Sequence, residues 1–189
     1  MNIPSKKECF KLIKKMTMMD HIIDHSIMVS NVALFLSLKL KKHSPDLDSR
    51  LATSAALLHD ITKTRSFDTN ENHSETGGLM LIKLGYPEVG DIIRQHVILD
   101  SYEDNSRVSV EEIVNYSDKR ILHDKVVSLN KRLEYIEFRY GANKEFKNRI
   151  QTMWKNTLEL ENKIFCQLDI KPNQLSACVS KKIKKEDWI

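Results

Sequence analysis

Apolar positions along the chain recur mostly at three- and four-residue intervals, the spacing of a helix that buries one face. Phe10, Ile13 and Lys14 keep that spacing and predict a short first helix over about 5–18. Ile22, His25, Val29, Val32, Leu36 and Leu40 form one stripe of a longer helix over 20–43, with Asp20 as N-cap and "HSPD" as its end. A third helix is expected over about 46–60, capped by Asp46 or Asp48, and the polar stretch 61–73 reads as a loop. "SETGGLMLIKLG" closes on Gly85, and "PEVGDIIRQHVIL" opens with Pro87 in its first turn. After a polar, acidic loop at 100–107, "SVEEIVNYSDKRILHD" starts with Ser109 and Glu112 three residues apart, the signature of a capping box. Two further helices, about 128–140 and 143–168, are separated by Gly141.

The expectation is an all-α bundle of about eight helices. It divides into an N-terminal helix (1–19), a core (20–125), a C-terminal helical extension (126–180) and a frayed basic tail (181–189). Composition agrees: only 5 glycines and 4 prolines in 189 residues, with 41% hydrophobic, suits helices with a real core better than a sandwich or barrel.

The net charge of +4 is too small to argue for a nucleic-acid partner, which is therefore not expected. Three widely spaced cysteines with no CxxC pair indicate neither a disulfide framework nor a thiolate zinc site. There is no apolar run behind the N-terminal lysines and no uninterrupted 18-residue apolar segment, so neither a leader nor a membrane span is expected, and the reading is a cytoplasmic protein. Homodimerisation is left open.

Against this background "SAALLHDITK" (54–63) is out of pattern: an imidazole and a carboxylate, His59 and Asp60, stand where an apolar helix would continue with leucine. His25 lies on an apolar stripe, His96 follows Ile92 and Ile93, and Asp118 is one turn from Val114 and Leu122. Taken singly, each is explained by an ordinary buried hydrogen bond. Together, several helices each aim one polar group inward, and a buried carboxylate needs a partner, a hydrogen bond or a metal. His21, His43 and His123 lack such a context and are assigned to the surface or to a supporting position.

The order His25, then His59–Asp60, then Asp118, with the local words "HSIMVSNVA", "LLHDITK" and "VNYSDKR", resembles the H…HD…D signature of the HD superfamily of metal-dependent phosphohydrolases over about 20–125. The resemblance implies an all-α fold and a metal held by His25, His59, Asp60 and Asp118. His73 and His96 lie between the doublet and the last aspartate. This resembles subfamilies with two metals, such as the HD-GYP phosphodiesterases and the HD-type diadenosine tetraphosphate hydrolases, and it implies a second metal on Asp60, His73 and His96. Val97 stands where some relatives have another histidine, and "GYP" at 85–87 is a helix break rather than the HD-GYP motif, so the motifs do not indicate a cyclic-di-GMP enzyme.

A ligand set without thiolate suits iron, manganese, magnesium or nickel. The implied activity is hydrolysis of a phosphate ester or anhydride of a small metabolite or nucleotide by a metal-activated hydroxide, with Asp60 and Lys63 as the catalytic side chains. The alternative is a non-catalytic module that uses the same site to hold a nucleotide. Lys63, three residues past Asp60, matches a phosphate-facing lysine in the related "HDIxK" pattern. Arg65, Arg94 and Arg120 are further candidates for substrate contact, each with a solvated surface cation as the plainer explanation.

Overall fold

A computed structural model describes residues 1–102, 107–140, 144–179 and 183. Among them are ten α-helices: α1 Lys6–Lys15, α2 Asp20–Leu40, α3 Ser49–Leu58, α4 Lys63–Thr69, α5 His73–Lys83, α6 Pro87–Arg94, α7 Val110–Lys119, α8 Leu129–Tyr140, α9 Lys144–Phe165 and α10 Leu175–Cys178. A two-residue antiparallel pair, β1 Ile121–Leu122 and β2 Lys125–Val126, sits between α7 and α8, and a 3₁₀ turn, Pro172–Gln174, precedes α10. The fold is all-α.

α2 is the axis of the molecule. It packs on α3 and α7, and from Ile22 to Ala33 every residue except Asp24 is buried. By length and composition α2 could cross a membrane, but 72% of its most apolar window is buried inside the protein, which makes it a core helix. Its N-cap is Met19, without a side-chain hydrogen bond, and Asp20 lies in the first turn instead of capping it. A carboxylate there still meets the positive end of the helix favourably.

Other helix starts follow local chemistry. The Asp48 carboxylate accepts from the Arg50 and Leu51 amides. Ser5 with Glu8 and Ser109 with Glu112 close capping boxes. Glu112 has a second role: its Oε1 is 2.7 Å from Lys163 Nζ, a buried pair that ties α9 to the start of α7.

Three local expectations are corrected. The stretch 61–73 is not all loop, because 63–69 form α4. This helix buries none of its residues, so no apolar period announces it, and Asn70 ends it in the left-handed region at φ 55°. The helix expected through 124 stops at Lys119, and the chain turns through β1 and β2 with His123 at φ 57°. The basic tail is not wholly frayed: Ile183 is buried, and its backbone N–H and C=O both bond the side chain of Asn31 on α2. The break expected at Gly141, residues 103–106 of the acidic loop and most of the tail lie outside the described residues.

Candidate metal centre

Five segments bring polar groups to one end of the bundle. His25 comes from α2, His59 and Asp60 from the turn that ends α3, His73 from the first position of α5, and His96 from the turn after α6, while Asp118 projects from the last turn of α7. All six residues that the sequence singled out as ligands meet there. The rings of His25 and His59 have centroids 5.4 Å apart, those of His59 and His96 4.9 Å, and those of His73 and His96 5.1 Å.

The histidines are oriented from behind. His59 Nδ1 donates to the carbonyl of Ala56 at 2.8 Å, His96 Nδ1 to that of Ile93 at 2.6 Å, and His25 Nδ1 to that of His123 at 3.0 Å. With Nδ1 protonated and held by a carbonyl, the Nε2 lone pair of each neutral ring points forward, the usual second-layer arrangement around a metal-ligating imidazole. What those lone pairs face is carboxylate. His25 Nε2 is 2.9 Å from Asp118 Oδ1. His59 Nε2 is 3.3 Å from Asp60 Oδ2 and 3.7 Å from Asp118 Oδ1. Asp60 Oδ1 is 3.2 Å from His73 Nε2 and 3.6 Å from His96 Nε2, and those two nitrogens are 3.2 Å from each other.

Acceptors thus confront acceptors. Two of the atoms, His59 Nε2 and Asp60 Oδ1, are fully buried with no hydrogen-bond partner, although His59 and Asp60 are only 0% and 1% exposed. Stranding a buried polar atom costs about 1–3 kcal/mol, and more for a charged one. A cation among them removes the conflict, so the residues fit a divalent metal. Among the described residues two groups satisfy the geometry, His25–His59–Asp118 and His59–Asp60–His96, each with ligand atoms within 4.8 Å of one another. His73 stands beside the second group.

Ligation requires neutral imidazole and ionised carboxylate, and four groups of the cluster, His25, His96, Asp60 and Asp118, are shifted that way. Burial, reinforced by neighbouring His59, pushes His96 down to about 3. Burial also lowers His25, though Asp118 opposes it. His59 moves the other way, because the Asp60 and Asp118 charges outweigh its burial. For both aspartates burial is the largest influence and favours the acid. It is overcome by Lys63, His59 and His73 at Asp60, and by His25, His59 and Arg132 at Asp118, so both carboxyls stay well below the usual range.

The predicted cations fare unevenly. Lys63 Nζ is 2.8 Å from Asp60 Oδ2 and lines a cavity over the cluster. Arg65 instead bonds Glu71 at 2.6 Å, and Arg94 is held between Asp91 and Asp100; neither lines that cavity. Arg120 corrects the expectation most clearly. It is buried, donating to the carbonyls of Val127 (2.7 Å) and Pro172 (2.9 Å), to Glu161 (3.0 Å) and to the Tyr116 hydroxyl, so it ties the C-terminal helices to α7. The reason is geometric: two residues along α7 from Asp118 is about 200° around the helix, the opposite face.

The cavity contains groups that sequence reasoning passed over, Phe67, Arg132, Tyr135 and Arg139, and two, His21 and His123, that it assigned to the surface or to a supporting position. The signal was present as Arg132, Tyr135 and Arg139 at i, i+3 and i+7, one face of α8, but charge at that spacing also describes a solvated surface. His123 contributes through its backbone carbonyl, which no side-chain pattern reveals.

The family model described as HD domain matches residues 22–136. The chain belongs to the HD domain family. The matched span contains His59–Asp60 with the other four clustered residues, and α8 as far as Ile136. HD domains bind divalent metals, and this His/Asp cluster fits that property. A similar curated sequence is Uncharacterized protein MJ0778 of Methanocaldococcus jannaschii, 25% identical over 137 residues, which cover 66% of this chain and 80% of that protein. No solved structure matches.

Proposed function

We propose that this HD domain is a metal-dependent phosphohydrolase acting on a phosphate ester or anhydride of a small metabolite or nucleotide. One observation carries the reading. Four imidazoles and two carboxylates, with two fully buried atoms left unpartnered, face one another beneath a cavity that also holds Lys63.

The groups that would hold the metal are His25, His59, Asp60 and Asp118, with Asp60, His73 and His96 for a second ion. Bound there, a divalent cation would supply charge neutralisation for the phosphoryl oxygens and acidify water. The protein's own part is positioning. The Ala56, Ile93 and His123 carbonyls fix three rings, and Lys63 holds Asp60 Oδ2 while lining the cavity where phosphate oxygens would sit. Overall, the oxygen of water bonds to phosphorus and the bond to the leaving oxygen breaks. One proton of water ends on the released alcohol or phosphate and the other on the new phosphate.

The test is metal analysis of the purified protein. It is followed by assay of p-nitrophenyl esters, nucleotides and dinucleoside polyphosphates with manganese, iron, nickel and magnesium. Metal binding with chelator-sensitive hydrolysis is expected. A protein that binds no divalent ion on titration would sink the proposal.

A further inference from the structure

Each carboxylate of the cluster has one cation beside it. Asp60 has Lys63, from the start of α4, at 2.8 Å. Asp118 has Arg132, from α8, with Nη2 at 3.8 Å. Both cations line the cavity over the cluster, and they arrive from different elements.

Arg132 differs from the other arginines of this region in what it is given to bond. Arg94 and Arg120 are held by close carboxylates and carbonyls. The side chain of Arg132 is 13% exposed, its Nε is buried without a hydrogen-bond partner, and its carboxylate lies beyond hydrogen-bond distance. A planar guanidinium with unused donors next to a cluster of metal-type ligands suits a tetrahedral oxyanion.

It is also fixed in place. The Arg132 guanidinium lies 5.8 Å from the Tyr135 ring centre. The Tyr135 ring meets the His123 ring edge-on at 5.6 Å. The His123 carbonyl accepts from His25 Nδ1, and His25 Nε2 faces Asp118, the residue beside Arg132. These five residues form a closed ring that joins a ligand histidine to the arginine through the β1–β2 turn.

We propose that Arg132 is the second phosphate-holding cation of the site, acting with Lys63, and that the group admitted is a terminal phosphoryl group rather than an internal phosphodiester. The inference rests on the phosphohydrolase reading. Charge supports it: a terminal phosphoryl ester carries two negative charges and a diester one, and three cations, Lys63, Arg132 and Arg139, line the cavity, the first two beside the carboxylates of the cluster. Size supports it as well. The cavity is about 200 Å³, below the roughly 300–1,000 Å³ of sites that enclose a whole small-molecule ligand. That volume takes a phosphoryl group with its remainder projecting past Phe67 and Arg139, whereas a diester needs room for substituents on two sides of phosphorus. Tyr135 and His123 are positioning residues for Arg132.

The experiment uses the full chain loaded with manganese. It compares wild type, Arg132→Gln, Arg132→Lys, Tyr135→Leu and Tyr135→Phe. Hydrolysis of p-nitrophenyl phosphate and bis(p-nitrophenyl) phosphate is measured beside calorimetric binding of orthophosphate and metal content. Wild type should prefer the monoester. Arg132→Gln should weaken orthophosphate binding about tenfold or more and lower kcat/KM on the monoester at least as much, with metal content unchanged. Arg132→Lys should recover part of this. Tyr135→Leu should raise KM more than it lowers kcat, and Tyr135→Phe should restore it.

Orthophosphate binding that depends on Arg132 in a protein that hydrolyses nothing would support the arginine and defeat the phosphohydrolase. Active wild type with Arg132→Gln equal to it in binding and rate would overturn the inference and leave the enzyme standing. So would a preference for the diester, or metal loss in both arginine variants, which would make Arg132 structural. Neither binding nor hydrolysis in wild type would defeat both.

Discussion

Asp60 is the residue on which the cluster turns, because its two oxygens face different neighbours. Oδ2 meets Lys63 and His59, and Oδ1 meets His73 and His96. Asp60→Ala should lower metal content and reduce hydrolysis by 10³-fold or more, with the helical circular dichroism retained. Near-normal turnover in that variant would show the cluster to be something other than the reaction site. Lys63→Ala should instead keep its metal and lose about 10²–10³-fold in kcat, the size expected for a donor aimed at developing charge. Arg120 supplies the contrast. Its guanidinium ties α7 to Glu161 and to the Pro172 carbonyl inside the protein. Arg120→Met should therefore cost roughly 3–5 kcal/mol of stability, since it leaves a largely buried carboxylate without its partner. Urea unfolding would read that loss, and activity at low temperature should be nearly unchanged.

At the scale of elements, the second half of the cluster depends on how closely α5 and α6 approach. A Cβ on Gly78 would lie 2.7 Å from the Gly90 carbonyl, and one on Gly90 would lie 2.6 Å from the Gly78 carbonyl. Alanine gains up to ~1 kcal/mol over glycine in a helix. The obstacle is backbone, however, and cannot swing aside, so the overpacking cost of ~1–3 kcal/mol prevails. Gly78→Ala should lower stability and, by spreading the two helices, separate His73 from His96. Metal analysis should show weakened binding at the His73–His96 side while the His25–His59–Asp118 group still loads.

These cases also mark how far the sequence could be read. The stripe on α2 and the two capping boxes were legible because burial and orphan amides impose local rules. His25, His59, Asp60, His96 and Asp118 stood out as polar groups in apolar helical context, but only the resemblance of their order to the HD signature joined them, with His73, into one ligand set. α4 was not legible, since a helix that buries nothing has no apolar period. β1 and β2 were hidden for the same reason, being too short to alternate. Arg120 was misplaced because proximity in sequence to Asp118 was read as proximity in space. Arg132 was missed because one face of α8 looks like a solvated surface until Asp118 of α7 and the β1–β2 turn are seen to lie beside it.

For the whole molecule, the cluster is a liability that a metal would relieve. In chelator the unpartnered His59 and Asp60 atoms remain buried, so divalent metal should raise the thermal midpoint by mass action, and excess chelator should reverse the gain. The metal-free protein should also be acid-sensitive. His96 is held at about 3 against an ordinary 6.5, so below 6.5 the unfolded chain takes up protons that the folded chain refuses. Stability from this group is therefore complete above pH 6.5 and declines as pH falls toward 3. The lowered Asp60 and Asp118 act in the same direction at lower pH. His59 has the opposite sign, and its contribution fades as pH rises through its elevated value. Urea titrations between pH 4 and 7 in chelator should show the decline, and stability that stays flat or rises on acidification would contradict the assignment of His96 as a buried neutral ring.

Asn31 gives the molecule a dependence on time. Its side-chain amide sits at the centre of α2 and clasps the backbone of Ile183, 152 residues further along the chain, through two hydrogen bonds of 2.8 and 3.0 Å. A ribosome adding roughly 5–20 residues per second needs about 8–30 s to cover that distance. Throughout that interval the most apolar helix of the protein exists without its contact to Ile183, and for the earlier part of it α7 and then α9 are still unmade. Packing on α3 can cover one side of α2 early, but the rest of its burial waits for later elements, and this is the interval in which a chaperone, or a neighbouring copy, has its best access to it.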